Sequence, residues 1–121
     1  MSPITIVAIV TAVLFAGAGL AKLVSATMSI EQRDALGVQP GLWRTIGALE
    51  VAGALAVGAT LLGWVPAWLG FAAAVGFVLL IVGAIMTRAR AKSPFGMVLA
   101  DVVTLIMAIL TLGAMRALAM G

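Results

Sequence analysis

The chain of 121 residues contains no cysteine, no histidine and no tyrosine. Without cysteine there can be no disulfide and no thiolate-held iron–sulfur cluster. Without histidine there is no His-ligated haem, and the loss of both removes Cys/His zinc sites. No cofactor is implied by what remains. Charge is nearly as scarce: 9% of residues are charged and 64% are apolar, where a soluble domain runs near 25% and about 45–50%. Mean hydropathy is +1.30. So little polar surface cannot cover a water-soluble particle, and the length allows one domain with room for four or five membrane spans.

Four uncharged or nearly uncharged runs stand out. Ile4 to Ala21 carries no charge and is closed by Lys22; Thr45 to Gly63 is interrupted only by Glu50. Ala67 to Thr87 has none, and Phe95 to Met115 holds Asp101 alone. Each reaches the roughly 20 residues that a transmembrane helix needs. Period-2 alternation is absent, which excludes a β-barrel, and backbone polar groups in lipid must then be satisfied within each segment. The expected fold is an all-α, antiparallel four-helix transmembrane bundle forming one domain, 1–121, with spans about 4–24, 44–63, 66–87 and 95–116. The first run lacks a basic leader and exceeds the usual signal-peptide core, so it is expected to be a retained span.

The connections carry their own signals. Gly63 to Pro66 reads as a tight hairpin, and Pro66 and Pro94 each suit the start of a helix. In the longest linker, Ser29 and Gln32 form a capping-box pattern and Gly37 a C-cap, predicting a short interfacial helix near 30–36. Trp43, Trp64 and Trp68 fall at predicted span ends, where indole rings favour the headgroup level. Small residues recur four apart: Ala48, Ala52 and Ala56; Ala54 and Gly58; Ala72 and Gly76; Ala12 and Ala16; Ala100, Thr104 and Ala108. Such rows allow close helix packing, within the chain or against another membrane protein. The methionines read as gap fillers.

Lys22, Arg33, Arg44, Arg88, Arg90 and Lys92 flank the first and third loops, against Arg116 alone elsewhere. The positive-inside rule then places loops one and three in the cytoplasm and both termini outside the plasma membrane. The net charge of +3 is a topology signal. It does not point to nucleic acid, because no aromatic-interleaved basic surface accompanies it.

Lys22, Glu50, Asp101 and Arg88 are the candidate site residues. Charges inside a span are costly and usually pair or line a polar cavity. Glu50 and Asp101 each lie six residues past the expected cytoplasmic start of a span, about 9 Å at helical rise. Lys22 and Arg88 end spans on that same side, so topology gathers all four into one layer. Two explanations stand side by side. A Lys22–Glu50 or Lys22–Asp101 ion pair can fix helix order. Alternatively, the cluster is a cytoplasm-facing polar pocket for a small anion, a quinone-like headgroup or a proton.

Phe15-Ala-Gly-Ala-Gly-Leu-Ala-Lys22-Leu and, after a polar loop, Ile46-Gly-Ala-Leu-Glu50-Val-Ala-Gly-Ala-Leu resemble the DoxX-like family of small four-span membrane proteins. In that family a Gly-x-x-Lys-Leu type element ends span one and a Gly-x-x-Glu element opens span two. The resemblance implies a four-helix bundle and carries over to Lys22 and Glu50. It also implies association with membrane redox assemblies: the family name goes back to a subunit linked to a thiosulfate:quinone oxidoreductase or quinol oxidase, and mycobacterial members resemble partners of a complex that resists oxidative stress. Many relatives have a histidine late in span three, where this chain reads Ala84-Ile-Met-Thr-Arg88.

Three function classes follow. An accessory subunit of a membrane assembly, or a small-ligand-binding component, fits the missing redox ligands and the small-residue faces. Its partners are the bilayer, other subunits or a second copy, and a small lipophilic ligand or quinone. The alternative is a small proton-coupled transporter using Glu50, although four-span exporters place their key glutamate in span one. An autonomous enzyme is least favoured, because no nucleophile–base pair or metal-ligand cluster is evident.

Overall fold

A computed structural model of the chain describes residues 2–24 and 27–120, and for 27–29 and 32 the backbone alone. Five helices follow one another: α1 (Pro3–Leu23), α2 (Thr27–Leu36), α3 (Pro40–Leu61), α4 (Ala67–Arg90) and α5 (Phe95–Met120). All but α2 are long and apolar enough to cross a membrane. The described residues are all-α, a helical bundle of four spans.

Helix starts and stops have local causes. Ser2 caps α1, its hydroxyl accepting from the Thr5 N–H, with Pro3 at the first helical position. α3 likewise starts on a proline, Pro40, four residues before the expected start of span two. α2 begins at Thr27, so Ser29 lies inside the helix instead of capping it; the side chains of that expected box fall outside the described residues. Pro66 and Pro94 sit just before α4 and α5, and their carbonyls accept from the first helical turn.

Three helices stop in the same way. At the end of α2, Gly37 donates to the Asp34 carbonyl and Val38 to Arg33; at the end of α3, Gly63 donates to Thr60 and Trp64 to Ala59. Both glycines have left-handed backbone, φ +69° and +75°, as this double-bonded terminus requires. α4 repeats the bonding with Lys92 and Ser93, yet Lys92 has φ +55° and a side chain. A Cβ in this region costs about 1 kcal/mol. Lys92→Gly is therefore expected to stabilise the protein by about 1 kcal/mol, read by thermal unfolding in detergent. Lys92→Ala keeps the Cβ and should bring no such gain; equal effects would contradict the explanation.

Packing follows the ring order α1, α3, α4, α5 and back to α1. The centre is a stacked pair from opposite helices, Phe15 and Phe77, with centroids 4.0 Å apart and planes within 9°. Gly53 makes room for it: a Cβ there would sit 2.6 Å from the Phe77 ring. α1 and α3 touch backbone to backbone, since a Cβ on Gly19 would meet the Gly47 carbonyl oxygen at 2.6 Å. Gly70 of α4 admits Thr60 and Met115 in the same manner. Thr11, Thr60 and Thr111 are buried, and each donates to the carbonyl four residues back. Their hydroxyls are thus satisfied within their own helix.

The expected small-residue rows are only partly the ones that pack. Ala54 and Ala108 are buried, whereas Ala48, Ala52, Ala72 and Ala100 face outward. The backbone-to-backbone contact instead uses Gly19 with Gly47. The buried core also has a definite end. On α4 its last member is Ile81 and on α5 its first is Ala108. Beyond them, toward the loop that joins α4 to α5, a cavity takes the place of the apolar core.

Candidate functional site: a cavity between two ion pairs

Where the core ends there is a cavity of about 460 Å³. Its walls are mainly apolar, from Leu14, Ala18, Ile46, Leu80 and Ala84 among others, with Leu36 and Val38 at the end of α2. Lys22, Glu50, Arg88 and Asp101 all line it. The charged residues come from all four spans, one each, and meet because α1 and α4 end where α3 and α5 begin.

They are joined as two pairs. Lys22 Nζ donates to Glu50 Oε1 at 2.6 Å, with side chains 14% and 6% exposed. The docking of Gly19 on Gly47 sets this up, since each glycine lies three residues, about one turn, from its charged neighbour. Lys22 also lies over the Trp43 ring, 4.9 Å from its centroid, a favourable cation–π placement. In the second pair Arg88 Nε lies 2.6 Å from Asp101 Oδ2. There the N–H is not aimed at the oxygen, and both buried atoms lack a formed hydrogen bond. Among the described residues Arg88 Nη1 reaches only the Met97 sulfur, at 3.8 Å. A thioether is a weak acceptor, so among these residues the guanidinium meets no strong partner beyond Asp101.

Of the two pairings expected for Lys22, the structure contains the one with Glu50; Asp101 pairs with Arg88 instead. Lys22 and Asp101 still line the same cavity, so the pairs share one site. Trp43 belongs to the site as well: α3 starts early enough to put it one turn inside the helix, where it is buried (6% exposed). Trp43, Gly47 and Glu50 follow the i, i+4, i+7 spacing of one helix face. That spacing is the signal that would have found it. Trp64 and Trp68 are exposed. Among the described residues no three Asp, Glu, His or Cys side chains gather as a metal site. A third ion pair, Arg33 with Asp34, sits on α2 with the carboxylate largely exposed, away from the cavity wall, and contributes little.

Residues 6–111 match the family model described as the DoxX-like family. The chain belongs to the DoxX-like family. No curated protein and no solved structure matches it. Four apolar helices together with this membership make it a multi-pass membrane protein. The family match spans all four candidate site residues and Trp43 as well. In this DoxX-like chain the late part of span three presents Thr87 and Arg88 to the cavity, with Thr87 bonded back to the Gly83 carbonyl.

Proposed function

We propose that this DoxX-like protein is a ligand-binding component of the plasma membrane that holds a small lipophilic molecule by its polar head in the cavity between the two ion pairs. The observation that carries this reading is the meeting of four charged side chains, one from each span, on the wall of one largely apolar cavity. Ligand pockets typically enclose about 300–1,000 Å³ with a few placed polar groups on apolar walls, and 460 Å³ falls in that range. Glu50 Oε2 and the Arg88 Nη atoms supply one acceptor and several donors beyond the pairs themselves. A quinone-like head fits such a set, and loops one and three on the cytoplasmic side would put the head near that surface.

Glu50 is held at 2.6 Å by Lys22, which supports a positioning role over that of a proton carrier cycling through transport. An accessory role in a larger membrane assembly is supported by the rows that face outward, Ala48 with Ala52 and Ala72 on the next helix, since small residues allow close approach of another helix.

Trp43 gives a direct readout. With Trp64 and Trp68 replaced by Phe, a short-chain quinone is expected to quench the remaining indole in a saturable manner in detergent micelles. The Lys22→Leu/Glu50→Leu double variant should lose the saturable part. Quenching that rises linearly and equally in both proteins would overturn the proposal.

A further inference from the structure

Resting on that ligand-binding reading, we infer that the cavity is filled sideways from the bilayer, by a single-chain lipid whose oxyanion head is captured by Arg88. Two independent observations lead there. The first concerns the mouth. Leu14 and Leu79 line the cavity yet are 47% and 66% exposed, and Gly83 lines it and is exposed too. Leu14 and Leu79 lie near the middle of α1 and α4, the depth of lipid tails, whereas Lys22 and Arg88 lie about 12–14 Å further along the same helices. The exposed part of the lining is thus apolar and mid-span, whereas the four charged side chains are only 6–14% exposed. A chain lying from Leu79 toward Arg88 would match each part of its surroundings.

The second observation concerns the head. Arg88 sets its Nε against Asp101 as an ion pair, and among the described residues the Nη1–Nη2 edge has only the Met97 sulfur. That edge is the fork that binds carboxylate or phosphate through two parallel hydrogen bonds. The surrounding charge agrees. Six cations (Lys22, Arg33, Arg44, Arg88, Arg90 and Lys92) stand at this end of the bundle against Glu31, Asp34, Glu50 and Asp101. An added anion there lowers the excess of positive charge.

Gly83 makes the mouth testable, because a Cβ built on it meets nothing within 4 Å. Gly83→Phe should therefore fold and obstruct the opening. Gly76→Phe, on the same helix with equally open space and off the cavity wall, is the control. The probe is stearate carrying a nitroxide near its carboxylate, which quenches the indole of Trp43 in the full chain lacking Trp64 and Trp68. Saturable quenching is expected in the parent and in Gly76→Phe and is expected to be lost in Gly83→Phe. The methyl ester of the same probe, and the acid on Arg88→Gln, should each bind about tenfold more weakly, as loss of a charged hydrogen bond predicts. Ester binding as tight as the acid would overturn oxyanion capture. Unchanged binding in Gly83→Phe, or displacement of the stearate by inorganic phosphate alone, would overturn entry from the bilayer. If the short-chain quinone still binds in either case, the proposed function stands and only this inference falls.

Discussion

Removing the carboxylate of Glu50 is expected to cost about 3–5 kcal/mol of stability. Lys22 Nζ is 2.6 Å from Glu50 Oε1 and its side chain is only 14% exposed. In Glu50→Ala the ammonium would stay in an apolar setting without its counter-charge, and that desolvation sets the magnitude. Lys22→Ala leaves the opposite charge behind and should cost a similar amount. The double variant Lys22→Leu/Glu50→Leu behaves differently, because replacing both partners of a buried pair by apolar groups is often neutral or stabilising. Unfolding in graded denaturing detergent measures all three. Single variants that lose less than about 1 kcal/mol would show the pair to be as weak as a surface salt bridge.

The second large effect belongs to a residue without a side chain. Gly47→Ala places a methyl group 2.7 Å from Lys22 Cβ and 2.8 Å from the Gly19 carbonyl oxygen. Backbone cannot rotate away as a side chain end can, so α1 and α3 must separate. Overpacking of this kind costs about 1–3 kcal/mol and sometimes more. Here it also pulls Lys22 away from Glu50 one turn on, so the loss should reach the upper part of that range. Gly19→Ala meets the same wall from the other helix. Gly17→Ala has nothing within 4 Å and exchanges glycine for the best helix former, so it should gain up to about 1 kcal/mol. Opposite signs at two glycines of one helix, positions 17 and 19, are the expected pattern in thermal unfolding. Equal effects at both would rule out the close crossing.

The contrast between those two glycines shows what can be read from the chain directly and what cannot. The four spans are legible because uncharged length alone separates a helix in lipid from everything else. The azimuth of each helix is not, because lipid and bundle core are equally apolar and leave no polarity contrast between the faces. Ala48 and Ala52 therefore look as suited to packing as Gly47, yet they face outward. Charged residues escape this ambiguity, since lipid excludes them on any face. Lys22, Glu50, Arg88 and Asp101 could be assigned to one layer from loop positions alone. Their partners could not: four side chains on one level allow more than one pairing, and the rotation of each helix selects among them. The place of Trp43 in the site was hidden for a related reason. With the start of α3 set at residue 44 it falls outside the span; with Pro40 as the first helical residue it falls one turn inside, on the face of Glu50.

Two features of the site have different physical origins. The ion pairs hold the helices in one arrangement, which packing of apolar surfaces in lipid specifies poorly. The cavity exists because the apolar core stops at Ile81 on α4 and begins only at Ala108 on α5. A bundle needing only order and register would be satisfied by the pairs with the space between them filled. The space is open, and Arg88 faces it with donors to spare.

Native mass spectrometry of the protein released gently from its own membrane tests this most directly. A single small lipophilic adduct is predicted on the parent chain, absent from a folded Lys22→Leu/Glu50→Leu variant and reduced in Arg88→Gln. A parent chain that carries no adduct, or the same adduct undiminished on the double variant, would contradict a ligand site between the two ion pairs.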